Sequence, residues 1–332
     1  MTEHSETNWH RRNVLALGGG ALLATALPRA AAASPLLRSD REGFADVPGG
    51  RVWWRISGSG SGTPLLLLHG GPGAGHDYLE PLASLAVDRP IIFYDQLGCG
   101  RSDKPDDPSL WRMERFVAEI DARRLALNLE RVGLYGHSWG GWLAQEYMRS
   151  GAGANSVDRL ILASSSASVA EFVAGAQRLL ATLPDGMAAR SRELEAAGET
   201  DGPEYQAIAE SFYDRYVVHL DSPPPYLTKT FENVASSRTY AVMNGPSEFS
   251  VTGTLKTWDA RSALARITVP TLVLRSEWDE VTLDCHEYLH RGIRGSQLAV
   301  LPKARHLAIV ERPVAYSELV GKFLARIDHE RT

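Results

Sequence analysis

Gly136-His137-Ser138-Trp139-Gly140 sets one serine between two glycines. The surrounding stretch, "VGLYGHSWGGWLAQ" from Val132 to Gln145, begins as a strand pattern and ends as a helical one. A serine hydroxyl is a poor nucleophile until a base takes its proton. At a strand-to-helix junction it is held in a strained turn with its Oγ pointing out of the sheet edge. The helix N-terminus beside it favours developing negative charge. The glycines remove side chains that would collide at so tight a turn. G-x-S-x-G in this setting marks Ser138 as the nucleophile. Ser164, Ser165 and Ser166 also end a strand pattern, but they lack the glycines and read as loop residues.

The base and its orienting acid are sought downstream, in the order serine, acid, histidine that accompanies this serine turn. His306 follows the last strand pattern, in "LPKARHLAIVERP", and is the best-placed base. His286 and His290 fall on a helical pattern and are expected at the surface, and His329 lies in the C-terminal tail. Asp279 ends the strand pattern "TLVLRSEWD", whereas Asp259 and Asp284 lie off strand ends. Ser138, Asp279 and His306 would thus share the carboxyl-end side of a parallel sheet, where catalytic groups of such sheets gather. An oxyanion needs backbone donors. One is the N–H of Trp139, directly after the nucleophile. The other comes from "HGGPG", His69–Gly73, with Gly71 as the donor. His69 reads as structural, and Asp95 and Arg101 in "YDQLGCGRS" as residues that hold their loop together.

The elements that must position these groups are legible as apolar runs. "RVWWRIS" reads as one arm of a hairpin after the turn "PGG". "PLLLLHGG", "PIIFYDQLG", "RVGLYGHS", "RLILASSS", "TLVLRSEWD" and "QLAVLPKARH" carry unbroken apolar stretches. Strands buried on both faces require such stretches. Helical patterns such as "MERFVAEIDARRLALNL" alternate with them. The expectation is an α/β fold with a mostly parallel central sheet and helices on both faces. Residues 169–258 break the rhythm with charged amphipathic stretches and the breaker "SPPPY". They are expected to form a helical cap inserted between core segments 34–168 and 259–332.

The chain has 332 residues and a formal net charge of −5, which argues against a nucleic-acid or anionic-membrane surface. Two cysteines, Cys99 and Cys285, make neither a disulfide scaffold nor a four-ligand zinc site and read as separate thiols. At the N-terminus, Arg11 and Arg12 precede a short apolar run, and Ala31–Ala33 offers a small-residue cleavage site. Residues 1–33 therefore read as a twin-arginine-type export signal, which predicts an exported protein with no stable membrane span after processing.

Taken together, "HGGPGAGHDYL", "YDQLGCGRS", "GHSWGG", "YAVMNGPSEFSVTGTLKTWD" and "EWDEVT" resemble the prolyl iminopeptidase family of the α/β-hydrolase superfamily. The likeness runs from residue 69 to 306. It implies a cofactor-free serine exopeptidase, with no metal, that removes an N-terminal residue, preferentially proline, from short peptides. It implies a Ser138, Asp279, His306 triad. It also implies that Glu248 and Glu280 bind the substrate's free amino or imino group. Trp139, Trp142 and Tyr240 are candidates to enclose a proline ring. Leu97 stands where many members carry arginine, and "HSWGG" also resembles amino-acid amide hydrolases. Three readings stay open at this point: the aminopeptidase, an amino-acid amide hydrolase or esterase of the same fold, and a non-catalytic binding protein on that scaffold.

Overall fold

The computed structural model describes residues 39–330, so the export-signal expectation, with Arg11 and Arg12, lies outside the described residues. Eight strands form one sheet: β1 (Ser39–Val47), β2 (Gly50–Ser57), β3 (Leu65–Leu68), β4 (Ile91–Tyr94), β5 (Val132–His137), β6 (Val157–Ala163), β7 (Thr271–Ser276) and β8 (Gln297–Leu301). Their spatial order is β1-β2-β4-β3-β5-β6-β7-β8. β1 and β2 form an antiparallel hairpin, β2 meets β4 antiparallel, and every pairing from β4 to β8 is parallel. Leu65–Leu68 and Ile91–Tyr94 are wholly buried, which is what apolar runs without alternation require between two helical layers.

β8 departs from that expectation. Its residues before Leu301 are exposed or half-buried, because it is the edge strand and only one side of it is paired. The apolar run of "QLAVL" thus does not signify burial on both faces.

Helices cover the sheet: α1 (Met113–Ala126), α2 (Trp139–Arg149) and α3 (Ala152–Ser156) before β6, then α9 (Leu283–Gly292), α10 (Ala308–Glu311) and α11 (Pro313–His329) after β7. Between β6 and β7 lie α4 (Val169–Leu180), α5 (Met187–Ala197), α6 (Pro203–Tyr216), α7 (Pro225–Ser236) and α8 (Arg238–Met243). α4 buries Val169, Phe172, Ala176 and Leu180, and α6 buries Tyr205, Ile208, Ala209, Phe212 and Tyr216. Both sets follow helical spacing, so each helix offers one apolar stripe. Ala176 and Leu180 of α4 meet the α6 stripe, Leu194 and Phe249 in a small core of their own, while Val169 and Phe172 join the main core. This interval is fastened to the sheet domain where it matters for the site. The N–H groups of His306 and Leu307 donate to the carbonyls of Tyr216 and Val217, at 3.0 and 2.8 Å. Asn233 on α7 donates to Ala74 O and to Asp77 Oδ2, both at 3.0 Å.

Candidate active site

Ser138 stands between β5 and α2 with φ 56° and ψ −124°, a conformation that L-residues rarely adopt. The flanking glycines make the turn possible. A Cβ on Gly140 would stand 2.1 Å from Leu68 O, and one on Gly136 would stand 2.3 Å from Gly140 O. The helix therefore starts in direct contact with the end of β3, and any side chain would push it away. Trp139 is the first helical residue, so its N–H is one of the donors a helix leaves unused at its start. Gly71 lines the same cavity as Ser138. The Trp139 indole donates to Gln96 Oε1 at 2.8 Å, and Gln96 Nε2 donates to His69 O at 2.9 Å. That chain ties α2 to the loops after β3 and β4.

Asp279 and His306 leave β7 and β8 side by side. The N–H groups of Glu277 and Trp278 donate to Leu301 O and Ala304 O, at 3.0 and 2.9 Å, which holds the two loops together. His306 Nδ1 donates to Asp279 Oδ1 at 2.8 Å, and the N–H of Val281 donates to the same oxygen at 3.0 Å. Burial alone would raise Asp279, but the His306 charge and hydrogen bond hold it well below the usual carboxylate range. The other ring nitrogen, His306 Nε2, lies 3.4 Å from Glu280 Oε1. Burial alone would lower His306, but the charges of Glu280 and Asp279 lift it to about 9. Glu280 is itself pushed well above the carboxylate range, first by burial and then by Glu248 and Asp279. Glu280 and His306 therefore compete for one proton. Ser138 and His306 line one cavity, and the Asp279 carboxylate is bonded to the imidazole. A hydroxyl, an imidazole and an orienting carboxylate are the parts needed for acyl transfer.

A second relay supports the imidazole. The N–H of Gly70 donates to Tyr78 OH at 2.8 Å, and Tyr78 OH lies 3.0 Å from His137 Nδ1. His137 Nε2 lies 3.1 Å from His306 O. Burial lowers His137 to about 3, so the ring is neutral. It accepts from the tyrosine and donates to the carbonyl. The relay joins the glycine loop after β3 to the backbone of His306. Sequence reasoning missed it, since nothing in the spacing of Tyr78 and His137 announces a contact.

Glu248 and Glu280 reach the cavity from opposite sides. In "NGPSEF", Asn244 Nδ2 donates to Ser247 O at 3.0 Å, and Phe249 is buried in the small core among α4, α5 and α6. Gln177 Nε2 donates to Phe249 O at 2.8 Å. The segment is thereby braced, and Glu248 accepts from Tyr240 OH at 2.6 Å. Glu280 is buried beside Asp279, and its Oε2 has no hydrogen-bond partner among the described residues. Tyr213, Tyr240 and Pro246 complete this part of the wall.

Asp95 holds its own loop through the Arg101 N–H and joins it to His76, at the end of the glycine loop. It accepts from the N–H groups of His76 and Arg101, both at 2.8 Å, and from His76 Nδ1 at 2.7 Å. The Arg101 guanidinium instead faces Glu42 and the Trp53 ring. Burial alone would lower His76, but Asp95 and Glu80 bring it up to about 9. The ligand-type atoms of His76, Asp77 and Asp95 lie within 4.8 Å of one another. His76 Nδ1 is bonded to Asp95 Oδ1, and Asp77 Oδ2 accepts from Asn233 Nδ2. His69 is buried, with its ring nitrogens at 2.9 Å from Gly70 O and 3.0 Å from Gln96 N, in keeping with a structural role.

One expectation needs correction. His286 is fully buried, not at the surface. It lies on the inner face of α9, where its charge state and that of Asp279 influence each other. Trp139 and Trp142 are core residues outside the cavity wall, with Trp142 stacked on Trp258. Of the three proposed aromatics, only Tyr240 lines the cavity. Cys99 and Cys285 are both free and buried, as separate thiols should be.

Comparison with known proteins places this site in a family. The α/β-hydrolase fold family matches residues 63–313. A proline iminopeptidase of Heyndrickxia coagulans is 40% identical over 86% of this chain and 99% of its own length. A proline iminopeptidase of Saccharolobus solfataricus is 35% identical over 86% of this chain and 93% of its own. The crystal structure of the Mycobacterium smegmatis proline iminopeptidase superposes with a TM-score of 0.79 at 31% identity, covering 88% of this chain and 100% of that one. The chain belongs to the proline iminopeptidase family of α/β hydrolases.

Proposed function

We propose that the protein is a serine aminopeptidase that releases an N-terminal residue, preferentially proline, from short peptides. The observation that carries this reading is the buried Glu280 carboxylate, which lines the cavity 3.4 Å from His306 Nε2 with one oxygen unpartnered among the described residues. A buried charge without a full set of partners is costly. The cationic N-terminus of a substrate satisfies it, with Glu248 and Tyr240 closing the same end. The names of the relatives point to the same substrate.

In the reaction, His306 Nε2 takes the Ser138 proton and Oγ adds to the scissile carbonyl. The N–H groups of Gly71 and Trp139 receive the oxyanion. His306 then returns the proton to the leaving amine as the C–N bond breaks. Water, activated by the same imidazole, releases the acyl group from Ser138. Asp279 orients the ring throughout. Arrival of the substrate cation also frees His306, because Glu280 exchanges its imidazole partner for the ammonium.

The test is proline release from Pro-Ala-Ala by the mature protein, compared with Ser138→Ala and with fluorophosphonate labelling of Ser138. Proline release and labelling, both lost in Ser138→Ala, support the reading. A folded protein that neither labels nor releases proline refutes it. Export by the twin-arginine route is part of the proposal. Arg11→Lys with Arg12→Lys should retain the precursor inside the cell, and undiminished secretion of that variant would overturn this part.

A further inference from the structure

The cavity is larger than its amine-binding end. It holds about 450 Å3, a size that encloses drug-sized ligands rather than one five-membered ring. The surplus lies on the cap side. Val217, Val218, Leu220, Leu227, Phe231 and Val234 line it. Val217 and Leu227 are buried, and Val218, Leu220, Phe231 and Val234 are half-buried and packed against the core behind them. This wall is rigidly placed with respect to the chemistry. The backbone of Val217 accepts from the N–H of Leu307 at 2.8 Å, next to His306. At the other end of the wall, Asn233 on α7 is bonded to the glycine loop that carries Gly71.

The position of the wall relative to the reacting atoms decides what it can hold. With the substrate cation at Glu248 and Glu280 and the carbonyl at Ser138, the leaving nitrogen must face His306 to receive its proton. Val217 adjoins His306 through its bond with the Leu307 N–H, and it lines the same cavity as His306 together with Val218, Leu220 and the residues of α7. We propose that this apolar wall is a leaving-group site, and that the preferred substrates are proline amides of bulky apolar amines. Such amines include a second residue with a large aliphatic or aromatic side chain. The inference rests on the aminopeptidase reading and adds what that reading leaves open, the chemical class of the group released.

Burying a Leu- or Phe-sized side chain accounts for about a 10- to 100-fold preference. The experiment measures kcat/KM for prolinamide, Pro-Gly-NH2, Pro-Leu-NH2 and Pro-Phe-NH2, all lacking a free carboxylate. The expected result is a rise of at least about 10-fold from Pro-Gly-NH2 to Pro-Phe-NH2. Phe231→Asn and Val218→Asn, each checked for folding by fluorophosphonate labelling, should reduce that ratio several-fold. Turnover of all four amides with ratios within twofold overturns the leaving-group site and leaves the aminopeptidase reading standing. If none is turned over, the aminopeptidase reading fails, and binding to Ser138→Ala then decides the site by itself. Tighter binding of Pro-Phe-NH2 than of Pro-Gly-NH2 supports it, and equal binding overturns it.

Discussion

Glu280→Gln should move two rates in opposite directions. Glu280 Oε1 lies 3.4 Å from His306 Nε2. At an effective dielectric near 20, a unit charge at that distance amounts to about 5 kcal/mol, or roughly 3.5 pH units on the imidazole. That is an upper limit, because Glu280 is raised by burial and carries the shared proton part of the time. At least about one unit should remain. The Gln side chain keeps size and hydrogen bonding but removes the charge that, with Asp279, lifts His306 to about 9. The imidazole must be neutral to act as a base. With p-nitrophenyl acetate, which has no amine, the acid limb of the kcat/KM profile should therefore shift down by at least about one pH unit. At neutral pH the ester rate should rise about tenfold. On a free-amine substrate the same variant loses its partner for the cation, at a cost of about 2–5 kcal/mol. There kcat/KM should fall by roughly 30- to several-thousand-fold. Equal losses on both substrates, or an unmoved acid limb, would show that Glu280 supports the fold and does not hold the proton and the substrate in turn.

Replacing Ser138 or His306 by Ala should lower kcat by about a millionfold, measured by proline release. A rate near that of the parent in either variant ends its assigned role. Tyr78→Phe breaks the relay from Gly70 to His137 and His306. It should lower kcat by about 10-fold or more with little change in KM, and an unchanged kcat would make the relay incidental. Gly140→Ala puts a methyl group 2.1 Å from Leu68 O. It should destabilise the protein by at least about 1–3 kcal/mol, read by denaturant unfolding, and parent-like stability would contradict the close approach. His76 is raised to about 9 in the folded protein. Its stabilising contribution is complete below the ordinary histidine value and is lost as pH rises through 9. Asp95, held at about 2 by His76 against the effect of burial, loses its contribution as pH falls toward 2. The melting temperature should decline on both sides, and Asp95→Asn should flatten the alkaline decline.

The sequence made the strand ends legible, and with them the site. Ser138, Asp279 and His306 each follow an apolar run, and parallel strands deliver their carboxyl ends to one side of a sheet. Residues 65–68, 91–94 and 132–137 are buried throughout, so their unbroken apolar character reflects burial on both faces. Residues 297–300 have the same character at a sheet edge, where partial exposure is tolerated, and composition alone does not separate the two cases. His286 misleads for a related reason. Its helix carries Asp284, Glu287 and Arg291 on the outside, and the polar count hides a buried face with Cys285 and Leu289. The relay through Tyr78 and His137 and the apolar wall from Val217 to Val234 arise only when separate segments are brought together. No local pattern encodes such contacts. Glu248 and Glu280 were found through a family motif, and the distance between Glu280 and His306 adds the proton competition that the motif does not contain.

The most direct measurement compares Pro-Ala-Ala with N-acetyl-Pro-Ala-Ala on the mature protein, by kcat/KM at fixed pH. Acetylation removes the cation and leaves the scissile bond unchanged. With two carboxylates at the amine end of the cavity, the free peptide should be preferred by at least about 30-fold. Equal rates, or faster cleavage of the acetylated peptide, would contradict an aminopeptidase and leave a general serine hydrolase in its place.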